Sequence, residues 1–243
     1  MSLSAQIHTQ LQNLNLPPPS QPWLQALISA RNPPPPLPSL VMTVKTRLLA
    51  SDLTTPGLLD SDSVPAISLP SGISNPAVQE TRLSHHVYVQ VADIEDLAKS
   101  RWEQVEELEA IERGEQTRGR EIIRLPTNGA NTDEHQNGTA DGPEAQLPAP
   151  TSNKATHRLV LQDCKGQTVY GLELTRIPRI AIGTLNIGEK ILLRKGALVA
   201  RGAILLEPTT CHILGGKIEA WQRAWVGSRL ARLREAAGPD QQG

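Results

Sequence analysis

The residues from Gly183 to Lys190, GTLNIGEK, have the glycine spacing of a phosphate-binding loop. Glu189 stands where such a loop needs its lysine, and a carboxylate there would repel phosphate, so the match is rejected. His85 and His86 are the one adjacent pair among six scattered histidines. Neighbouring strand residues face opposite sides, which keeps the two from sharing a metal. Cys164 and Cys211 are too few for a thiolate-only metal site and read as reduced core thiols. No GxSxG, HExxH, paired CxxC or GxGxxG occurs. The glutamates of residues 93–115 have no partner residues that suggest acid–base work, and a solvated helical face is their default. The chain is therefore expected to be no enzyme and to hold no cofactor.

One segment could do chemistry of another kind. Arg118-Gly119-Arg120-Glu121-Ile122-Ile123-Arg124-Leu125-Pro126 is an apolar knot flanked by arginines, set before a polar stretch, 127–153, that is expected to be disordered. A stranded apolar patch reads either as a contact site or as a segment folded back onto its own domain.

The elements around it follow from periodicity. In the 243 residues, aromatics make up 2% and phenylalanine is absent, which argues for small cores. Nine of the 20 prolines fall in the first 38 residues. Ser4 with Ile7, Leu11 and Leu14 predicts a helix over 4–15; a second helix begins near Ser20; Ser39 caps a third with Val41, Val44, Leu48 and Leu49 on one side. The run Pro33–Pro38 is expected to be an extended connector, with docking of an SH3 or WW module as its sharper alternative. Residues 53–83 read as loop. Val87, Val89 and Val91 alternate as a strand. Ala98, Trp102, Val105, Leu108 and Ile111 then mark one face of a strongly acidic helix, with Glu109 placed to pair with Arg113. From Arg158 short apolar runs punctuated by glycine predict a small barrel, and residues 217–235 a final helix.

The expected fold is α+β: a small N-terminal helical bundle, then a five-stranded OB-type β-barrel with a long insertion and a C-terminal helix. The expected divisions are a helical domain over 1–55, a linker over 56–83, the OB domain over 84–235 with its insertion at 96–157, and a tail over 236–243.

Charge is uneven. Residues 93–115 hold nine acidic and three basic side chains, while residues 154–235 hold fourteen basic and six acidic ones. The net charge of −1 argues against a free-standing nucleic-acid binder, though the basic half leaves room for a weak or assisted contact with DNA. Tyr170 and Tyr88 alone offer base stacking on strands, so a protein-binding OB fold is preferred to a single-stranded nucleic-acid-binding OB module, which remains the alternative. No run approaches a membrane span, and the basic residues begin only at Arg31, so a secretory or transit leader is not expected.

Leu159-Val160-Leu161-Gln162-Asp163, Val169-Tyr170-Gly171-Leu172-Glu173, Ile177-Pro178, Gly188-Glu189-Lys190-Ile191-Leu192-Leu193 and Ala203-Ile204-Leu205-Leu206-Glu207-Pro208 with Leu214-Gly215-Gly216 carry a resemblance. In order and spacing they resemble the N-terminal OB domain of the RecQ-mediated genome instability protein family. Trp23-Leu24 and Leu48-Leu49-Ala50-Ser51-Asp52-Leu53 resemble that family's helical domain. The resemblance implies a nuclear, non-catalytic partner of topoisomerase III, a type IA enzyme, and of a RecQ-family helicase. It implies that the insertion reaches the topoisomerase gate and favours decatenation and dissolution of double Holliday junctions. The gate contact would then be Arg118, Arg120, Glu121, Ile122, Ile123, Arg124, Leu125 and Pro126, with Trp102, Val105 and Leu108 as an additional contact helix. The length corresponds to the shorter fungal forms, which lack a second OB domain, so that domain's partner is not carried over.

Overall fold

The computed structural model describes residues 2–30, 32–114 and 155–238. Three helices open the chain: α1 (Leu3–Asn13), α2 (Gln21–Ser29) and α3 (Leu37–Ala50). Ser2, not Ser4, caps α1, its hydroxyl accepting from the Ala5 N–H. Ser4 is instead buried and accepts from Gln21 Nε2 at 2.9 Å, which ties α1 to the start of α2. Helix α2 starts where expected, and Ser20 caps it, accepting from the Trp23 N–H.

The third helix begins inside the proline run. Pro36 holds the cap position and Pro38 lies in the first turn, so Ser39 is not the cap. First-turn N–H groups have no partner within a helix, so proline costs little there. Ile7, Leu11, Leu24, Val44 and Leu48 form the centre of this bundle. None of the three helices would be stable alone, so this shared burial holds them.

The stretch 56–83 is not bare loop. It forms α4 (Val64–Ile67) and β1 (Glu80–Arg82). Leu58, Leu59 and Ile67 join the helical core, whereas Leu69, Ile73 and Leu83 join the barrel core.

The sheet comprises β1, β2 (Val87–Asp96), β3 (His157–Asp163), β4 (Thr168–Glu173), β5 (Lys190–Leu193), β6 (Leu198–Ala200), β7 (Ala203–Leu206) and β8 (Cys211–Gly215), in the order β1-β6-β7-β4-β3-β2-β5-β8. The β4–β7 pair is parallel and the others antiparallel. Strands β7 and β8 lie far apart in this order, yet only residues 207–210 join them. Four residues span at most about 14 Å, so the sheet must curl. The result is a mixed sheet curled into a half-barrel, the expected OB-type α+β architecture. The sheet has eight strands where five were expected, and the three-residue strands β1 and β6 extend it at one edge.

Alternation explains the filling. Val87, Val89 and Val91, Leu159 and Leu161, and Ile191 and Leu193 point inward and are fully buried. The register between β2 and β3 shifts between Val91 and Asp93, a bulge that leaves Ala92 without a partner. Ahead of it β2 pairs with both β3 and β5; beyond it, only with β3. This end of β2, Asp93–Asp96, paired with β3 alone, leads into the insertion. Its first helix is α5 (Arg101–Glu112); α6 (Glu219–Ala237) closes the chain.

Helical bundle and barrel share one interface. Tyr88, Cys164 and Leu214 pack against the helical core. Gln90 is fully buried there; it donates to Asp52 Oδ1 at 2.7 Å and accepts from the Leu53 N–H at 3.0 Å.

Candidate partner-binding site at the insertion root

Local sequence builds α5. Ser100 and Glu103 form a reciprocal capping box, each side chain accepting from the other's N–H. Those bonds hold the Glu103 carboxyl below the usual carboxylate range. Gln104 is buried and donates through Nε2 to the Asp96 carbonyl at 3.1 Å and the Lys99 carbonyl at 3.2 Å. The carbonyl that ends β2 and one in the bend after it thereby anchor the helix.

Of the helix residues expected to make contacts, Trp102 is 40% exposed and Val105 only 1%. Leu108 is half-buried and, with Ile111, Ala155, Ala181 and Ile182, lines an open groove. Trp102 and Leu108 thus hold the accessible surface, whereas Val105 packs inward. Arg118, Arg120, Glu121, Ile122, Ile123, Arg124, Leu125 and Pro126 lie outside the described residues.

Helix α6 flanks α5. Its start is seated on the barrel: the Ile218 N–H donates to the Ile187 carbonyl, the Ile187 N–H to Gln222 Oε1, and Trp221 and Trp225 pack against the core. Trp225 Nε1 and Arg232 both donate to the Asp93 carboxylate. The guanidinium groups of Arg229 and Arg232 stand 5.4 and 5.7 Å from the Trp225 ring. Further along, Arg234 donates to Glu109 Oε1 at 3.1 and 2.7 Å, and Arg101 donates to the Ala236 carbonyl at 3.0 Å. The expected Glu109–Arg113 pair forms at 3.6 Å. Between β2, α5 and α6 opens a cleft of about 540 Å³, lined by Trp102, Trp225, Arg158 and Leu233.

The chain re-enters the sheet at His157, which is buried. Glu173, on the neighbouring strand, accepts from the His157 N–H, the His157 Nδ1–H, the Ile177 N–H and Arg176, all within 3.0 Å. Burial alone would raise the Glu173 carboxyl; these donors outweigh it and hold the group below the usual range.

The phosphate-loop lookalike is a structural turn. Glu189 is fully buried and accepts from the Asn186 N–H and from Arg179, so its carboxylate occupies the turn itself. A Cβ at Gly188 would meet the Ile218 N at 2.5 Å, so the turn abuts the start of α6.

Lys190 is fully buried, and its Nζ donates to the Gly188 carbonyl at 2.6 Å. Burial pushes its pKa down to about 8, against the opposing pull of Asp52. Below pH 8 the lysine is charged in both folded and unfolded chains, and the desolvation cost counts in full. From about 8 to 10.5 the folded protein has released that proton while the unfolded chain keeps it, so stability gains with rising pH. Relative to Lys190→Met, the wild-type unfolding free energy is expected to rise by roughly 3 kcal/mol across that window. Guanidinium titrations of both proteins at stepped pH measure the difference.

Other chemistry-bearing residues have structural partners. His85 Nε2 bonds the Ser68 carbonyl, and His86 Nδ1 accepts from the Lys195 N–H. Both cysteines are free; burial pushes the Cys211 thiol up to about 12 and also raises Cys164, which suppresses thiolate reactivity. Tyr88 is half-buried against the bundle, its hydroxyl reaching the Leu16 carbonyl. Tyr170 remains the outward strand aromatic at 49% exposure, with Arg158 4.9 Å from its ring centroid.

Helical bundle, curled sheet and split first hairpin together define an OB-fold protein built around an inserted arm. Two family models match this chain: the RMI1 N-terminal helical domain over residues 11–56 and the RMI1 N-terminal OB-fold domain over residues 69–229. The chain belongs to the RMI1 family. It is similar to RecQ-mediated genome instability protein 1 of Schizosaccharomyces pombe, with 33% identity over 151 residues. That match covers 61% of this chain and 63% of the relative, so the chain spans somewhat under two thirds of the relative's length.

Proposed function

We propose that this chain is a nuclear, non-catalytic subunit of a complex between a RecQ-family helicase and topoisomerase III. Its OB domain docks on the topoisomerase, and the insertion over residues 96–157 biases the gate. The outcome is decatenation and dissolution of double Holliday junctions rather than simple relaxation. A partner shifts such an equilibrium only by binding one gate state better than the other.

The observation that carries this reading is the split hairpin. Strands β2 and β3 pair side by side, yet sixty residues intervene between Asp96 and His157, and the first helix of that insertion is fastened at its base to the end of β2 and the bend that follows it. Family membership and the relative's name support the RecQ pathway. The apolar residues Ile122, Ile123 and Leu125 could each supply roughly 1.5–3 kcal/mol on full burial in a partner.

Deleting residues 116–130 is expected to leave the melting temperature essentially unchanged while abolishing most stimulation of decatenation by a co-purified type IA topoisomerase. Unchanged stimulation would remove the insertion from the mechanism.

A further inference from the structure

Helix α6 divides into two parts with different partners. The part from Ile218 to Trp225 is seated on the barrel through Ile187, Gln222 and the two tryptophans. The part from Arg229 onward meets the insertion instead. Arg234 grips Glu109 through two nitrogens, Arg101 of α5 reaches back to the Ala236 carbonyl, and Arg232 spans to Asp93 at the strand end. Composition matches this division of labour. Helix α5 carries five glutamates against one arginine, and α6 four arginines against two glutamates.

Outside this seam, α5 is held at its start by its capping box and Gln104, and by the Lys99–Glu107 ion pair. Among its residues only Gln104 and Val105 are buried, and both lie in its first half. Its second half leads to Gly114, and there the seam with α6 supplies the restraint.

We infer that Arg101, Arg232 and Arg234 are positioning residues for the insertion, and that the far half of the C-terminal helix is an electrostatic latch setting the direction in which the chain leaves the barrel. This rests on the reading in which the insertion contacts a topoisomerase. A single exposed ion pair contributes little, so the latch combines the Arg234–Glu109 pair with the Arg101 bond to the Ala236 carbonyl and the Arg232–Asp93 pair on β2, and it remains soft enough to open. Salt screens such pairs. The latch makes the C-terminal helix part of the working arm rather than a trailing end.

The test uses the full chain and measures hydrogen exchange of the amides in residues 101–112. Arg234→Glu and Glu109→Arg, each alone, are expected to speed exchange about two- to five-fold, as loss of pairs of this kind allows. The double swap Glu109→Arg/Arg234→Glu should restore much of the protection, short of the Glu109–Arg113 pair that it also removes, and about 0.5 M salt should reproduce the single variants in the wild type. Unchanged exchange in the single variants, or no restoration in the swap, overturns the latch.

Decatenation by the co-purified topoisomerase is the second readout. Stimulation should fall in each single variant and return in the swap. Altered exchange with unaltered stimulation overturns the positioning role. A wild-type chain that gives no stimulation overturns the topoisomerase reading, and the positioning role with it; the exchange data still separate that failure from absence of the latch.

Discussion

Glu173→Leu is expected to lower the unfolding free energy by roughly 3–5 kcal/mol, the range for removing one partner of a buried charged pair. Four donors converge on this carboxylate: the His157 N–H and Nδ1–H, the Ile177 N–H and Arg176. Its side chain is 2% exposed, and that of His157 3%, so water cannot replace the lost acceptor without opening the sheet. Leucine fills similar space and satisfies none of the donors. Each orphaned N–H then carries its own desolvation cost.

The same group gives a signature in acid. Because its folded pKa lies below the ordinary glutamate value of 4.5, its contribution is present above that pH and is lost as pH falls through the folded value. Wild-type stability should therefore drop on acidification below about 4.5, and the variant should show a flatter acid limb. Urea titrations at neutral and stepped acidic pH give both numbers. The consequence for function is positional: His157 is the first residue of β3, where the insertion rejoins the barrel.

Gly216→Val is expected to cost more than about 3 kcal/mol, from two sources of strain. Gly216 has φ +86°, a conformation that side chains disfavour. An added Cβ would also lie 2.4 Å from the Leu49 carbonyl oxygen and 2.7 Å from the Leu49 Cβ. Helix α3 and the barrel approach too closely there for any side chain. Gly215 supplies the control. Its φ is +95°, yet a Cβ there meets nothing within 4 Å. Gly215→Ala should therefore show the backbone penalty alone, about 1 kcal/mol. Denaturant midpoints of the two variants separate conformational strain from loss of the interdomain contact, and equal losses would refute the role of the Leu49 approach.

Much of the fold was legible because burial on one face leaves a period. Val87, Val89 and Val91, and Leu159 and Leu161, share a side of their strands and a single core. Helix starts were less legible. Ser2 and Ser4 are equally good caps by type, and only the packing of Ser4 against Gln21 decides between them. The start of α3 was hidden because Pro38 reads as a helix breaker, although the first turn accepts it. Strands β1 and β6 are three residues each, too short for alternation to register.

The site was legible in part. The contrast between an acidic stretch and a basic half was visible, and it becomes the seam between α5 and α6. Which residues meet across it was not, because Glu109 and Arg234 lie 125 positions apart and no local pattern connects them. Trp102 and Val105 share a helical face by spacing, but the fold buries the second and leaves the first 40% exposed.

The order of strands also governs when this protein can take shape during its synthesis. Strand β1 pairs with β6, joining Glu80 to Ala200, and β5 must wait for β8 to gain its second neighbour. Contacts of such long sequence separation come late and slowly. The bundle of α1 to α3 can collapse on itself while the ribosome is still working. Its landing surface on the barrel, around Tyr88, Leu214 and Gly216, is finished only when almost the whole chain has emerged. A nascent chain halted inside the insertion therefore exposes the unmatched valines of β2. Such a chain is a candidate for chaperone capture.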